Sequence, residues 1–155
     1  MPFTQYVACL AVISALQEIM SDKYGILTSK DVFPFRIKWP NDIYALSGGS
    51  QLPVKVGGIL CNSMISGKEF SVIVGIGLNV SNKEPTICVN DIISAATHAQ
   101  GGDSEQPPLD RETLLATTMN HFEEFQSVRC CCDLTMHIPG GRRRVCQGCW
   151  HGFRL

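Results

Sequence analysis

Long hydrophobic runs are missing from this sequence. No window holds the roughly 18 consecutive apolar residues that a bilayer span needs. The N-terminus also lacks the basic start and small-residue cleavage pattern of a secretory signal, so membrane and secretory readings are not expected. Charge is scarce, at 17% of residues against 45% hydrophobic ones, and a chain of that balance buries too much apolar surface to be disordered throughout. No stretch repeats, which excludes a solenoid. The 155 residues leave no room for a second full domain, since single cores use about 100 to 200 residues.

Lysine is absent after Lys83, and the asymmetry goes further. Before Ser127 there are eight basic and 13 acidic groups; from Ser127 on there are five and one, and all five are arginines. Five of the eight cysteines also fall there, leaving Cys9, Cys61 and Cys88 in the body, where they are expected to stay reduced as small buried hydrophobes. The break divides the chain into a folded body, 1–126, and a divergent Cys/Arg-rich tail, 127–155, expected to be disordered and to come from a read-through intron or shifted frame. Cys146-Gln147-Gly148-Cys149 has metal-ligand spacing, with Cys130, Cys131, Cys132, His137 and His151 nearby, but no second C-x-x-C accompanies it and no metal site is expected. Arg142 to Arg144 read as a solvated patch rather than a nucleic-acid surface.

Within the body, residues 4–24 have helical periodicity through Val7, Leu10, Ala11, Ala15 and Met20, with Thr4 as a candidate N-cap and Gly25 as a stop. From Phe33 the period changes to two, placing Phe35, Ile37 and Trp39 on one face and Arg36 and Lys38 on the other. Pro40 ends this strand, and the kink is expected to turn Asn41 and Asp42 off the ladder with their side chains free. Val54 to Met64 and Phe70 to Val80 read as two long strands around the turn signal Ser66-Gly67-Lys68. Helices follow from about Asp91 to His98 and from Asp110, an N-cap, to Phe125. This order predicts an α+β domain with a mixed, mainly antiparallel sheet and helices on one face.

Three clusters carry chemistry. In Lys38-Trp39-Pro40-Asn41-Asp42 a cation, an amide and a carboxylate gather at a strand end, which is either a ligand corner or an ordinary turn beside a solvated lysine. In Lys55-Val56-Gly57-Gly58-Ile59-Leu60 two glycines sit inside an apolar strand, at a cost of about 0.5–1 kcal/mol each, so either a bulge or close approach of a ligand explains them. Lys55 would then offer a point charge to a developing anion. In Gly75-Ile76-Gly77-Leu78-Asn79 the third glycine and following helix of a dinucleotide fingerprint are missing; Gly75, Gly77 and Asn79 share a strand face instead, a flat strip for a ring with an amide for a base edge.

Taken in this order and spacing, the clusters resemble the catalytic domain of biotin–protein ligases, also called holocarboxylase synthetases, over about residues 5–126. Lipoate ligases share the Asn-Asp and Lys-x-x-Gly patterns without the full Lys-Trp-Pro-Asn-Asp string, so the resemblance favours biotin. It implies the biotin/lipoate ligase fold, related to class II synthetases and here incomplete. It also implies a two-step reaction in which biotin and ATP with Mg²⁺ give biotinyl-5′-adenylate, and the biotin then passes to a lysine of a biotin carboxyl carrier domain. No tightly bound cofactor is implied. Lys55 matches the lysine at the carboxylate–phosphate junction and Asp42 a group that orients or deprotonates the incoming amine. Lys38 is a second phosphate candidate, Trp39, Asn41, Gly57, Gly58, Gly75 and Gly77 line the ligand, and Asn79 meets the adenine side.

Two departures temper this. The Gly/Arg-rich adenylate lid of the family has no counterpart before residue 126, and residues 127–155 do not resemble its small C-terminal domain. The alternative to an active ligase is therefore a catalytically silent truncated isoform. The expected compartment is the cytoplasm, or an organelle for full-length forms. All these roles require Lys55 to face the Asn41-Asp42 corner.

Overall fold

The computed structural model describes residues 2–29, 32–46, 52–66, 69–82, 84, 86–101, 106–131, 137–138 and 141–142. Helix α1 (Pro2–Asp22) is followed by strands β1 (Phe35–Lys38), β2 (Asp42–Ala45), β3 (Val54–Ser66) and β4 (Glu69–Leu78), then by helices α2 (Val89–Ala99) and α3 (Arg111–Cys131). The strands form one sheet in the order β1-β2-β3-β4, and every pairing is antiparallel. The fold is thus α+β as expected, with no parallel pair among the described residues.

Helix α1 starts two residues earlier than its periodicity suggests, so Thr4 lies inside it and is not its cap. Its stop is where the sequence places it: Gly25 adopts φ +64°, a conformation that glycine reaches without a Cβ penalty. The N–H groups of Gly25 and Ile26 then donate to the carbonyls of Ser21 and Met20 at 3.0 and 2.8 Å. By length and composition Phe3–Asp22 could cross a membrane, with a mean hydropathy of 1.4, yet half of that stretch is buried within the fold. Ala8, Cys9, Val12, Ala15, Leu16, Ile19 and Met20 recur at three- and four-residue steps and pack on Phe35, Ile43, Ala45, Val56 and Ile59 of the sheet. That buried face accounts for the apolar character without a bilayer.

Helix α3 packs on α1 and begins with the expected cap: the Asp110 carboxylate accepts the Thr113 N–H at 2.6 Å and the Thr113 hydroxyl at 2.8 Å. These bonds hold the Asp110 carboxyl below its ordinary pKa. The helix does not stop at Gln126, where the apolar period ends, but runs on to Cys131. Asn90 ties the first turn of α2 to the segment before α3, donating to the Leu109 carbonyl at 3.1 Å and accepting the Leu109 N–H at 2.8 Å. Beyond α3 only the pair His137–Ile138 and Gly141–Arg142 is described, so the tail's zinc and frame-shift readings fall outside the described residues. Cys9, Cys61 and Cys88 are free thiols, and burial pushes Cys9 up to about 11.

Among the described residues, none covers the face of the sheet opposite α1. Leu60, Met64 and Ile73 are exposed on it, and it also carries the predicted site.

Candidate active site

The register of the sheet assembles the site. Lys38 pairs with Asp42, Asp42 with Gly58, and Gly58 with Gly77, so four of the residues singled out from sequence form one row across all four strands. Paired residues of an antiparallel sheet share a face. This row lies on the open side, since the neighbouring pair Ile43↔Gly57 points the buried Ile43 toward α1. A second row joins Arg36, Tyr44 and Lys55, and Gly75 stands opposite Leu60.

Lys55 reaches this face only because the ladder slips. Asp42 and Ile43 pair with Gly58 and Gly57, but Tyr44 pairs with Lys55, leaving Val56 as an extra residue in β3. Strict alternation would put Lys55 and Gly58 on opposite faces. The bulge puts them on the same one and turns Val56, 1% exposed, into the core. Lys55 Nζ then meets Asp42 Oδ1 at 2.7 Å, and this hydrogen bond pushes the lysine pKa up from its ordinary value. The lysine therefore faces the Asn41-Asp42 corner, as the sequence reading requires. Both partners remain in contact with solvent, and Lys38 Nζ sits 5.4 Å from the centre of the Tyr44 ring beside them. One ammonium group thus pairs with the carboxylate, and a second lies over the Tyr44 ring on the same face of the sheet.

The glycines divide into three kinds. A Cβ at Gly75 or Gly77 would touch only one backbone oxygen, at an ordinary 3.7 Å in each case, so nothing in the fold itself requires glycine there. Bare backbone at both positions leaves a flat strip beside Lys55. At Gly58 a Cβ would lie 3.1 Å from Asp42 Oδ1 and 3.7 Å from Lys55 Cε, so the missing side chain is the corridor through which the ion pair forms. At Gly57 the Cβ would meet the Gly77 carbonyl oxygen and Leu78 Cδ1 at 2.6 Å each. Gly57 points toward the helices and is needed for strand packing, which corrects its expected role in admitting a ligand.

Other expectations also change. Asp42 is not off the ladder; it is the first residue of β2 and is paired on both sides. Asn41 is not free: its side-chain amide donates to the Ile59 carbonyl at 3.0 Å, while its own carbonyl accepts the Ile59 N–H at 2.9 Å. Trp39 does not join Phe35 and Ile37, because β1 ends at Lys38 and the indole, 71% exposed, stands in the following turn ahead of a cis Trp39-Pro40 bond. Asn79 lies one residue past β4, with its N–H on the Val56 carbonyl at 2.8 Å and its amide donating to the Thr86 hydroxyl at 2.7 Å. One of its two amide N–H groups is therefore engaged within the fold, a contact the sequence reading did not foresee. Tyr44, Thr86 and Gln5 join the site without having been singled out. Of these only Gln5, a polar residue on the apolar face of α1, left a signal in the sequence.

Among the described residues the site forms a shelf. A concave region of about 470 Å³ opens near the end of β4, lined among others by Leu78, Val80, Asp110 and Arg111, and includes neither Lys55 nor Asp42. Among the described residues no three His, Cys, Asp or Glu side chains cluster to hold a metal ion.

Comparison with known proteins finds similar sequences. The chain is 40% identical over 124 residues to Biotin–protein ligase 1, chloroplastic, of Arabidopsis thaliana, an alignment covering 80% of this chain and 29% of that protein. It is 41% identical over 127 residues to Biotin–protein ligase 2 of the same plant, covering 80% and 32%. Against the Biotin–protein ligase of Homo sapiens it is 36% identical over 124 residues, covering 80% and 15%. The chain thus spans less than a third of the length of these relatives. Residues 1–79 match the profile of the Biotin/lipoate A/B protein ligase family, and with the sheet and the three motifs in place the chain belongs to that family.

Proposed function

We propose that the open face of this sheet is the adenylate-forming surface of a biotin–protein ligase. The observation that carries the reading is the 2.7 Å contact between Lys55 and Asp42 in the row Lys38, Asp42, Gly58, Gly77, beside a strip that has no packing reason to be bare. In the first step the carboxylate of biotin attacks the α-phosphorus of ATP, an acyl–phosphate bond forms, and pyrophosphate leaves. Two anions must come together for this, so a fixed cation at the junction removes repulsion and steadies the charge that builds there. Lys55 has that role, and Lys38 is the second cation for the phosphates. Mg²⁺ enters with the nucleotide, and Asp42 is the one carboxylate of the paired rows that could reach it.

In the second step the amine of a carrier-domain lysine attacks the activated carbonyl, the amide forms, and AMP leaves with the bonding electrons. Asp42 accepts the amine's proton or orients the amine. Gly75 and Gly77 give the planar part of the ligand a surface to lie on. The partners of this reading are biotin carboxyl carrier domains and its compartment is the cytoplasm, or an organelle in longer forms. A second reading, a silent isoform that binds ligand without turning it over, is favoured by the solvent contact of both Lys55 and Asp42, since water weakens a charge pair and competes for an activated acyl group.

The test is biotin-dependent ATP–pyrophosphate exchange, with mass-shift detection of biotin on a carrier domain. Lys55→Ala is expected to slow exchange by about two to three orders of magnitude, as loss of one charge-stabilising donor does elsewhere. An unchanged rate removes Lys55 from the mechanism. Ligand binding with no exchange in the unaltered chain selects the silent isoform.

A further inference from the structure

We propose that Gln5 of α1 is a positioning residue for the active corner: by holding the Ile59 carbonyl, its side-chain amide fixes the direction in which Asn41 and Asp42 face the open sheet. Gln5 lies one turn before Cys9 and two before Val12, on the stripe of α1 that is buried against the sheet. A polar group on such a stripe is costly unless it is hydrogen-bonded. Its partner is 54 residues away in β3, where Gln5 Nε2 donates to the Ile59 carbonyl.

Ile59 is the residue through which the corner is held. It is fully buried, its N–H donates to the Asn41 carbonyl at 2.9 Å, and its carbonyl accepts Asn41 Nδ2 at 3.0 Å. Backbone and side chain of Asn41 are therefore both referred to one peptide unit of β3, one residue from Gly58 and across the bulge from Lys55. Gln5 completes this node from the helix. Two amides share one carbonyl, so each restricts where the other sits. With the Gln5 donor gone, the Asn41 amide can swing on the carbonyl oxygen, and Asp42, the next residue, loses its fixed bearing toward Lys55. A misplacement of this kind lowers turnover more than ground-state binding. The catalytic meaning of the node rests on the ligase reading; the geometry of the node does not.

Gln5→Glu keeps the shape and replaces the donor by an acceptor, and Gln5→Leu keeps an apolar side chain on the stripe should the new charge disturb folding. In the full ¹⁵N-labelled chain, the Asn41 side-chain amide signal is identified by its loss in Asn41→Asp. Its hydrogen exchange with solvent is expected to quicken about three- to tenfold in the Gln5 variants, the factor of one ordinary hydrogen bond. Core backbone signals stay in place. The turnover number of pyrophosphate exchange should fall by a similar factor with KM for ATP unchanged. An Asn41 amide that exchanges as before overturns the proposal, as does a loosened amide with normal turnover. If the unaltered chain shows no pyrophosphate exchange, the ligase reading fails, while the amide measurement still decides whether Gln5 holds the corner.

Discussion

Placing one methyl group at each of two glycines separates the packing role of this sheet from its chemical one. At Gly57 the added Cβ would stand 2.6 Å from the Gly77 carbonyl oxygen and from Leu78 Cδ1, and 3.2 Å from Leu78 Cα. Leu78 could rotate its side chain away, but the carbonyl and the Cα belong to the paired strand, so β3 and β4 must separate. Overpacking of that kind costs about 1–3 kcal/mol. For a domain of this size the melting temperature should fall by about 2–4 °C per kcal/mol.

At Gly77 the same methyl would meet only the Gly58 carbonyl oxygen at 3.7 Å, and its φ is not in the left-handed region. Gly77→Ala should therefore leave stability unchanged or raise it by up to about 1 kcal/mol through the unfolded chain's lost freedom. The methyl instead occupies the strip where a ligand ring would lie, so affinity for a non-hydrolysable biotinyl-adenylate analogue should drop at least about tenfold, roughly 1.4 kcal/mol. Urea denaturation and isothermal titration calorimetry read the two effects separately. Equal stability of Gly57→Ala and the unaltered chain, or a Gly77→Ala variant that melts early and binds normally, would refute the reasoning.

Further outcomes follow from burial and charge. Cys9, with its thiol pushed up to about 11 by burial, should react with iodoacetamide at pH 8 far more slowly in the folded chain than in urea, and comparable rates would contradict its place in the core. Because that pKa is raised, the stability it contributes is present below its ordinary value and is lost as pH rises from 9 toward 11. Asp110 has a lowered pKa, so the stability from its cap is present above its ordinary value of 3.8 and is lost as pH falls through the folded value. Asp110→Ala should lower the melting temperature at pH 7 and narrow the gap to the unaltered chain in acid; a constant gap would argue against the cap. The exposed Leu60, Met64 and Ile73 share the open sheet face, so the isolated chain should associate as its concentration rises, and Ile73→Lys should reduce association in sedimentation velocity.

Different physical rules made different parts of this molecule legible. Helical and two-residue periods located α1, the β3–β4 hairpin, α2 and α3 to within a few residues, since each of these elements buries one side. Gly25 and Asp110 marked helix ends because their roles are local: one supplies a left-handed conformation and the other a carboxylate for an orphan N–H. The extension of α3 past Gln126 was not legible, as helix bonds continue where the apolar stripe does not. Trp39 was misplaced for the opposite reason: alternation was carried one residue beyond the strand that sustains it.

The three motifs, their order and their residue types are properties of the sequence alone, and they were enough to point to a cation, a carboxylate and bare backbone acting together. Which of them meet was decided in three dimensions. A single extra residue, Val56, turns Lys55 onto the face of Asp42, and pairing across four strands sorts Gly57 into the packing and Gly58, Gly75 and Gly77 onto the shelf. Gln5, Asn41 and Thr86 found their partners through contacts that no period encodes, because a side-chain hydrogen bond depends on where two distant segments come to rest.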